Sequence, residues 1–241
     1  MDWAIQVEQL TKSFGHLLAL RGIDLRLRRG KFLTIFGPNG AGKTTLIRIL
    51  STLLRPTAGR IEILGMDLRD AGEEIRRQIG VLSHQTFLYN NLTPMENLKF
   101  YGTLYGLDHL KERIELLLEQ VGLEGRRNDP VRTFSRGMQQ RLAIARTLLH
   151  DPQVVFLDEP YTGLDQHAAR MLEGLLGQMR SGQRTILLVT HNLARGLGMG
   201  DEVAIQVGGR ILYREERGKI DPASFEERYF HCVEEGPAWD S

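Results

Sequence analysis

The pattern of hydrophobic and polar positions predicts two kinds of strand. Near the start of the chain, apolar and polar residues alternate at Ile5–Leu10 and Ile23–Leu27, which is typical of strands with one face in the core. Three later runs are mostly apolar: Lys31–Phe36, Val154–Asp158 and Thr185–Thr190. Continuous apolar runs of this length favour strands that are buried on both faces.

Between the buried strands, apolar residues recur at the spacing of an α-helix. Runs from Thr44 to Leu54, from Leu110 to Val121 and from Ala168 to Met179 predict helices, and we expect Pro56 to stop the first of them. Buried strands joined by helices predict an α/β fold, with a mostly parallel sheet covered by helices on both faces. The alternating strands predict an added antiparallel β layer.

The block from Thr93 to Leu149 predicts a helical insertion into this core. We therefore divide the chain into one domain over residues 1–214, with a helical subdomain at about 86–149, and a short C-terminal tail over 215–241. The segment from Asp201 to Tyr213 predicts a hairpin around Gly208 and Gly209, near the end of the domain.

Composition and charge exclude several classes of protein. Hydrophobic residues make up 41% of the chain and charged residues 25%, which is ordinary for a globular protein. The net charge of +1 argues against a nucleic-acid partner, because such proteins usually carry a basic surplus. Cys232 is the single cysteine, so no internal disulfide can form. Asp2 stands where a signal peptide would carry a basic residue, and no apolar run approaches the ~20 residues that span a bilayer.

A phosphate-binding loop follows the first buried strand and precedes a helix. The segment matches the pattern G-x-x-x-x-G-K-[ST] and consists of Gly37, Pro38, Asn39, Gly40, Ala41, Gly42, Lys43 and Thr44, followed by Thr45. Glycines let backbone N–H groups wrap phosphates, Lys43 is expected to reach the β- and γ-phosphates, and the Thr44 hydroxyl is expected to bind Mg²⁺. The alternative is an ordinary glycine-rich turn before a helix.

Two carboxylates end the second buried strand. We expect Asp158 to hold Mg²⁺ and Glu159 to act as the general base for an attacking water, since ligands of open α/β sheets bind at the carboxyl ends of strands. The alternative is a strand that ends in two solvated acids. The chain contains no Asn-Lys-x-Asp guanine motif, which argues against a GTPase.

The segment Phe134–Arg141 resembles the ABC ATPase signature L-S-G-G-Q followed by Q-Q-R. Along the chain, the phosphate loop comes first, this segment second and the acidic pair third. With the motifs in this order, nearly the whole chain is similar to that family. The resemblance implies a P-loop NTPase (RecA-like) core and an ATP-driven dimer, in which Ser135 and Gly137 contact the γ-phosphate held by the opposite subunit. The segment departs from the family pattern at three positions: Phe134, Arg136 and Met138.

Four more positions resemble functional residues of the family. Gln85 resembles the Q-loop glutamine that meets Mg²⁺ and the water, and Asp165 belongs to a D-loop at the dimer interface. His191 resembles the switch histidine that contacts the γ-phosphate, and Phe14 resembles the aromatic residue that stacks on adenine. Other interpretations stay open: Gln85 and His191 as ordinary polar loop residues, Asp165 as a helix cap, and Phe14 as a core or turn residue.

The resemblance also implies partners and a location. ATP and Mg²⁺ are the expected ligands, a second copy of this chain is the expected dimer partner, and a separate integral membrane subunit is the expected target of the work. The chain is then cytoplasmic and peripheral on the inner face of the cell membrane. A groove for a short helix of that subunit is predicted after Gln85, at Phe87, Leu88, Tyr89, Leu92 and Phe100, with the helical-subdomain core as the alternative place for these side chains.

Within the family, residues 135–146 and 159–165 are most similar to the ATP-binding subunit of bacterial haem exporters of cytochrome c maturation. This resemblance implies haem export as the work of the machine. Two alternatives are an exporter of another substrate and a soluble ABC ATPase that drives assembly, for example of the iron–sulfur type. Copurification with a membrane protein or with a soluble scaffold would discriminate between transport and assembly.

Overall fold

The computed structural model describes residues 3–83, 85–164, 166–181, 184–234 and 236. Its strands are β1 (Trp3–Phe14), β2 (Leu17–Arg28), β3 (Phe32–Phe36), β4 (Ala58–Ile63), β5 (Met66–Asp67), β6 (Ile79–Leu82), β7 (Val154–Asp158), β8 (Thr185–Thr190), β9 (Glu202–Val207) and β10 (Arg210–Glu216). Its α-helices are α1 (Lys43–Leu50), α2 (Gly72–Gln78), α3 (Pro94–Tyr105), α4 (Leu110–Gln120), α5 (Arg136–Leu148), α6 (Gln166–Ser181), α7 (Leu193–Gly196) and α8 (Pro222–Glu234).

The strands form two sheets. Four antiparallel strands lie in the order β2–β1–β4–β5, and six strands lie in the order β10–β9–β3–β8–β7–β6. Within the larger sheet, β9, β3, β8, β7 and β6 are parallel, while β10 pairs antiparallel with β9 in the predicted hairpin. The fold is therefore the predicted α/β class, with a mostly parallel sheet and an antiparallel layer.

The three predicted buried strands lie side by side in the larger sheet. Every residue of β3, β7 and β8 is buried. Consecutive residues of β7 face two different cores: Val154 and Phe156 pack toward the antiparallel sheet and α1, whereas Val155 and Leu157 pack against α3 to α6. Because both faces of these strands are covered, their sequences show a continuous apolar run instead of alternation.

The register of the parallel strands aligns their carboxyl ends. Phe36 pairs with Thr190, and Asp158 pairs with Val189. The segments that follow β3, β7 and β8 therefore leave the sheet at one edge, where the phosphate loop, Glu159 and His191 come next in the chain.

The helical insertion lies between β6 and β7 and contains α3, α4 and α5. Thr93 caps α3 through a capping box, in which its hydroxyl accepts from the N–H of Glu96 and the Glu96 carboxylate accepts from the N–H of Thr93. Ser135 caps α5 by accepting from the N–H of Met138 at 3.2 Å. These caps explain why both helices begin where polar residues precede the apolar pattern.

The first helix is shorter than the sequence predicts. It ends at Leu50 and not at Leu54, because Thr52 takes a left-handed conformation with φ of 63° and the N–H groups of Leu53 and Leu54 both donate to the carbonyl of Arg48. Pro56 lies beyond this turn, so it does not stop the helix.

The segment described as a tail contains α8. Phe225 and Tyr229 of this helix are buried in a third core cluster with residues of β3 and β9, and the ring of Phe225 lies 5.3 Å from that of Phe36 in an edge-to-face arrangement. In the described part of the chain, no helix combines the length and apolarity that crossing a bilayer requires.

Candidate active site

The phosphate loop is packed against β9 and the start of β2. A Cβ on Gly37 would lie 2.1 Å from the carbonyl oxygen of Gln206, and a Cβ on Gly42, whose φ is 94°, would lie 2.5 Å from the carbonyl oxygen of Ala19. The buried amide of Gln206 donates to the carbonyl of Ala41 at 2.9 Å. Glycine at both positions therefore permits a backbone approach that a side chain would prevent.

Lys43 lies almost fully buried inside this loop. Its ammonium donates to the carbonyl oxygens of Gly37 at 2.7 Å and Pro38 at 2.9 Å. Burial lowers the pKa of Lys43, while the carboxylates of Glu159 and Asp158 act in the opposite direction. The charge of Lys43 is thus held beside the helix α1 N-terminus, where Gly42 supplies no side-chain cap and the helix dipole favours an anion.

Thr44 and Asp158 meet across the edge of the sheet. The Thr44 hydroxyl donates to a carboxylate oxygen of Asp158 at 2.9 Å, and Asp158 is buried at the last position of β7. A carboxylate and a hydroxyl are hard oxygen ligands of the kind Mg²⁺ prefers. The pair therefore fits a Mg²⁺ site that phosphate oxygens would complete. The described residues contain no group of three or more His, Cys, Asp and Glu side chains that could hold a metal ion.

Glu159 is held in a defined orientation by three contacts. Its backbone has a φ of 49° and its N–H donates to the carbonyl of Val189. One oxygen of its carboxylate accepts from the Thr190 hydroxyl at 3.0 Å, and the other lies 2.8 Å from Nδ1 of His191. A carboxylate fixed in this way, with a left-handed backbone retained at a site, is typical of a catalytic group.

Thr190 is a residue that the sequence reasoning missed. It is buried at the end of β8, and its hydroxyl also accepts from the N–H of Asn192 at 3.1 Å. The available signal was a polar residue at the last position of an otherwise apolar buried strand, directly before His191.

The signature segment surrounds the start of α5. Ser135 is exposed at its cap, and a Cβ on Gly137 would lie 3.4 Å from the Cβ of Ala168 in α6. The Arg136 side chain covers Gly163, where an added Cβ would lie 2.5 Å from Nε of Arg136. Hydrogen bonds join Thr44 to Asp158 and Glu159 to His191, and Lys43 and Thr44, like Asp158 and Glu159, are neighbours in the chain. No described hydrogen bond joins Ser135 to these residues.

Comparisons with known proteins agree with this geometry. The ABC transporter family model matches residues 20–162. The chain belongs to the ABC transporter family. It is the ATP-binding subunit type of that family, and it is an ATPase.

Two relatives and one solved structure illustrate the match. The chain is 39% identical to the ABC transporter ATP-binding protein NatA of Bacillus subtilis, over 81% of each chain. It is also 39% identical to the daunorubicin resistance ATP-binding protein DrrA3 of Streptomyces coeruleorubidus, over 88% of this chain and 67% of the relative. The dimeric structure of a post-hydrolysis state of the ATP-binding cassette MJ0796, bound to ADP and Pi, has a TM-score of 0.81 and 27% identity, and it covers 88% of this chain and 98% of that one.

The narrower resemblance to haem exporters of cytochrome c maturation is not supported by these relatives. The segments that suggested it, residues 135–146 and 159–165, cover most of α5 and the turn after β7, which carry the signature and Glu159. Similarity there reflects ATP chemistry, which export systems for different substrates share.

The remaining sequence-predicted residues have different surroundings. Gln85 is exposed after β6, with its carbonyl accepting from the Ser83 hydroxyl at 2.9 Å. Phe14 is 48% exposed at the end of β1, with the Lys12 ammonium 5.0 Å from its ring centroid, so the core alternative for Phe14 is wrong. Asp165 lies outside the described residues, while the turn that leads to it begins at Glu159, whose carbonyl accepts from the N–H of Thr162.

Proposed function

We propose that this chain hydrolyses Mg·ATP with Glu159 as the general base, and that two copies close on ATP to drive a membrane subunit that exports a small molecule. The observation that carries the proposal is the contact of the Glu159 carboxylate with Thr190 and His191, on the same sheet edge as Lys43, Thr44 and Asp158. These groups combine a phosphate cradle with an oriented base, which is what phosphoryl transfer to water requires.

The phosphates of ATP lie along the loop from Gly37 to Thr45 in this proposal. Its backbone N–H groups and the α1 N-terminus attract the anion, and Lys43 exchanges its contacts with the loop carbonyls for the β- and γ-phosphate oxygens. Phe14 is exposed at the end of β1, and β2, which follows it, contacts the phosphate loop through Ala19. The ring of Phe14 is therefore available to stack on adenine. Bound Mg²⁺, held by Thr44, Asp158 and Gln85, would neutralise charge that develops on the phosphates.

Hydrolysis begins when the Glu159 carboxylate accepts a proton from the attacking water. The water oxygen bonds to the γ-phosphorus as the bond from that phosphorus to the β–γ bridging oxygen breaks, which leaves ADP and phosphate. The Thr190 hydroxyl holds one carboxylate oxygen in place, and His191 Nδ1 holds the other. For the His191 contact to be a hydrogen bond with ionised Glu159, Nδ1 must carry a proton, which leaves Nε2 as the ring nitrogen that faces the γ-phosphate.

A second copy completes the site. Ser135 and Gly137 lie at an exposed helix N-terminus that is suited to an anion, and they share no described hydrogen bond with the phosphate loop of their own chain. A head-to-tail dimer brings this terminus to the γ-phosphate of the opposite copy, with Asp165 and its turn at the interface. The dimeric form of the MJ0796 cassette supports this arrangement.

The membrane subunit docks on the aromatic surface, by which we mean the exposed side chains of Phe87, Tyr89 and Phe100. Their exposed fractions are 45%, 48% and 39%, and the rings of Tyr89 and Phe100 lie 5.0 Å apart. Leu88, which the sequence groups with them, packs against the core instead. Exposed rings of this kind favour a protein partner over solvent, and they support a position of the chain beside the membrane subunit, at the cytoplasmic face of the membrane.

The exported substrate is a small organic molecule in this proposal. The support is the similarity to a relative named for daunorubicin resistance, with 39% identity over 88% of this chain. Export of another substrate than haem was one of the alternatives that the sequence left open.

The test is the Glu159→Gln variant, with Glu226→Gln on the exposed face of α8 as the matched control. We expect Glu159→Gln to bind ATP, to form a dimer that is detectable by analytical ultracentrifugation with Mg·ATP, and to release phosphate about 10²–10⁴-fold more slowly. The control should hydrolyse ATP at the wild-type rate. Near-normal turnover by Glu159→Gln, or a strictly monomeric variant in Mg·ATP, would show that the proposal is wrong.

A further inference from the structure

A cavity of about 560 Å³ opens on the surface beyond the end of α1, between the turn that follows this helix and the segment that contains α2. Because α1 has eight residues, it is about 12 Å long, and it separates the cavity from the phosphate loop at its other end. Arg55, Arg69 and Arg76 line the cavity, and no Asp or Glu is among the described residues that do so. We call it the arginine cavity.

The arginines of this part of the chain differ in whether a carboxylate pairs with them. Outside the cavity, Arg60 pairs with Glu62 at 2.7 Å and Arg77 pairs with Glu73 at 3.0 Å. Asp67 lies 3.5 Å from the same Arg60 side chain. The three arginines that line the cavity form no ion pair with a described carboxylate. The acids of this region therefore serve the arginines outside the cavity, and those inside it lack a counter-ion in the described part of the chain.

The guanidinium groups in the cavity are accessible and keep free donors. All three arginines are exposed. A terminal nitrogen of Arg69 donates to the carbonyl of Gly59 at 2.8 Å, and one of Arg76 lies 3.5 Å from the Thr52 hydroxyl. The side chain of Arg55 has no hydrogen-bond partner among the described residues. Because each guanidinium carries five N–H donors, most of them remain available to a ligand from solution.

The chemistry of the cavity favours a phosphate group. Guanidinium groups bind phosphate oxygens through pairs of N–H donors, and three cations without a carboxylate among them attract anions. The arginines come from three different segments: the turn after α1, the link between β5 and α2, and α2 itself. A tetrahedral phosphate presents oxygens in several directions, so it can face donors from three segments better than a planar carboxylate can. The volume is within the range of small-molecule sites.

We propose that the arginine cavity binds one phosphate group, with Arg55, Arg69 and Arg76 as its ligands. This phosphate is either the headgroup of an anionic phospholipid or part of a soluble phosphate compound, and the two sources share the same recognition. The phosphate site itself does not depend on the proposed function, whereas a lipid source does, because it needs the chain to lie beside the membrane.

The position of the cavity suits a lipid headgroup. Arg76 also lines a neighbouring cleft, and Phe87 of the aromatic surface lines that cleft with it. The arginine cavity and the aromatic surface therefore lie close together on the chain. When the aromatic surface meets the membrane subunit, the cavity is brought near the inner leaflet, whose anionic lipids attract arginines. A headgroup held there adds a membrane contact that does not pass through the membrane subunit.

The test measures two sources of phosphate on the full-length chain. In the lipid arm, the chain is floated with vesicles of phosphatidylglycerol and phosphatidylcholine, or of phosphatidylcholine alone. In the soluble arm, inorganic phosphate is titrated in ¹H–¹⁵N NMR spectra that resolve arginine Nε–H signals, so that binding in the phosphate loop is not mistaken for binding in the cavity. We expect flotation only with phosphatidylglycerol, and shifts of the Nε–H signals of Arg55, Arg69 and Arg76 with phosphate.

The matched variants are Arg76→Gln and Arg77→Gln, two neighbours in α2 that lose the same charge. Only Arg76 lines the arginine cavity, whereas Arg77 pairs with Glu73. We expect Arg76→Gln to bind phosphatidylglycerol vesicles about fivefold more weakly, which corresponds to about 1 kcal/mol, and Arg77→Gln to bind them as the wild type does. Arg55→Gln, which removes a side chain without a described partner, should repeat the loss if Arg76→Gln does not fold.

The comparison of the two variants decides the inference. A loss in Arg76→Gln that Arg77→Gln does not share supports the site in whichever arm it occurs, and that arm identifies the source. Equal losses in the two variants, or no binding in either arm, would overturn it, since general attraction to a negative surface does not distinguish neighbouring arginines. Phosphate release from ATP is measured on the same preparations and should be unchanged in all three variants. Absent ATP hydrolysis by the wild type would reject the proposed function and leave the phosphate site standing.

Discussion

The ATP site differs in how its charges are paired from the cleft that Arg146 and His150 line between the end of α1 and α5, which we call the Arg146 cleft. In the ATP site, Lys43, Asp158 and Glu159 each have a partner in the chain, respectively the loop carbonyls, Thr44 and the pair Thr190 and His191. In the Arg146 cleft, Nε of Arg146 and Nδ1 of His150 are buried without one. One region is paired by its own residues, and the other leaves two buried polar atoms without a hydrogen-bond partner in the described chain.

The pairing in the ATP site follows from what a catalytic site must do. A catalytic site gains from groups that are oriented before the substrate arrives, because orientation that is established during folding does not add to the barrier of the reaction. The comparison predicts that substitutions in the ATP site act mainly on ATP binding and hydrolysis, while substitution of His150 in the cleft acts on the pH dependence of stability.

The largest effect should come from Gly37→Ala in the phosphate loop. Because the new Cβ would lie 2.1 Å from the carbonyl oxygen of Gln206, the loop must move away from β9. We expect a loss of about 3 kcal/mol, or about 100-fold, in ATP affinity measured by calorimetry. The control is Gly40→Ala in the same loop, where the Cβ meets open space and only the φ of 81° is strained, at a cost of about 1 kcal/mol. Equal losses in the two variants would contradict the close-approach explanation.

A smaller effect is expected from His191→Ala, which removes one of the two contacts that orient Glu159. Because the base keeps its hydrogen bond from Thr190, it is misplaced and not lost, so kcat should fall by about tenfold, or about 1.4 kcal/mol, while KM for ATP changes little. Steady-state phosphate release measures both constants. The matched control is His109→Asn at an exposed left-handed position, which asparagine tolerates, and it should leave kcat unchanged. A rise in KM alone would mean that His191 only binds ATP.

The smallest effect concerns His150 and the pH dependence of stability. Burial lowers the pKa of His150 from 6.5, and among nearby charges Arg146 and Arg113 also lower it while Asp151 and the Ile79 carbonyl raise it. Below about pH 6.5 the unfolded chain therefore binds this proton while the folded chain does not, so stability falls as the pH falls through 6.5.

The His150→Gln variant removes that titration and keeps an amide donor for the Ile79 carbonyl. Urea unfolding at pH 7.5 and at pH 5.5 should show a smaller loss of unfolding free energy in the variant than in the wild type. The exposed-site variant His109→Asn should retain the wild-type difference. If His150→Gln loses as much stability as the wild type, the imidazole is not buried in its neutral form.

The sequence predicts the larger sheet well, because strands that are buried on both faces, such as β3, β7 and β8, have continuous apolar runs. From that, the meeting of the phosphate loop with Asp158 and Glu159 follows, since parallel strands of one sheet end at the same edge, and only β8 lies between β3 and β7. The order of the motifs then identifies the family, and the comparisons with known proteins confirm it. The specific substrate did not follow, because residues that handle ATP carry no information about the cargo of the machine.

Other features depend on contacts that a linear pattern does not contain. The early end of α1 depends on a left-handed residue at Thr52, although threonine rarely takes that conformation. The role of Thr190 depends on the neighbouring strand that carries Glu159. Helix α8 follows a charged stretch, and only its packing reveals that Phe225 and Tyr229 belong to the core.

The packing of α8 gives the end of the described chain an influence on the ATP site. The ring of Phe225 rests on Phe36, and Phe36 is the residue immediately before Gly37. Burying a phenylalanine of this kind stabilises a fold by about 1.5–3 kcal/mol, so α8 stabilises the strand that leads into the phosphate loop. We expect that displacing this helix, for example with a binding protein or by proteolysis, weakens ATP binding without altering any residue that contacts the triphosphate.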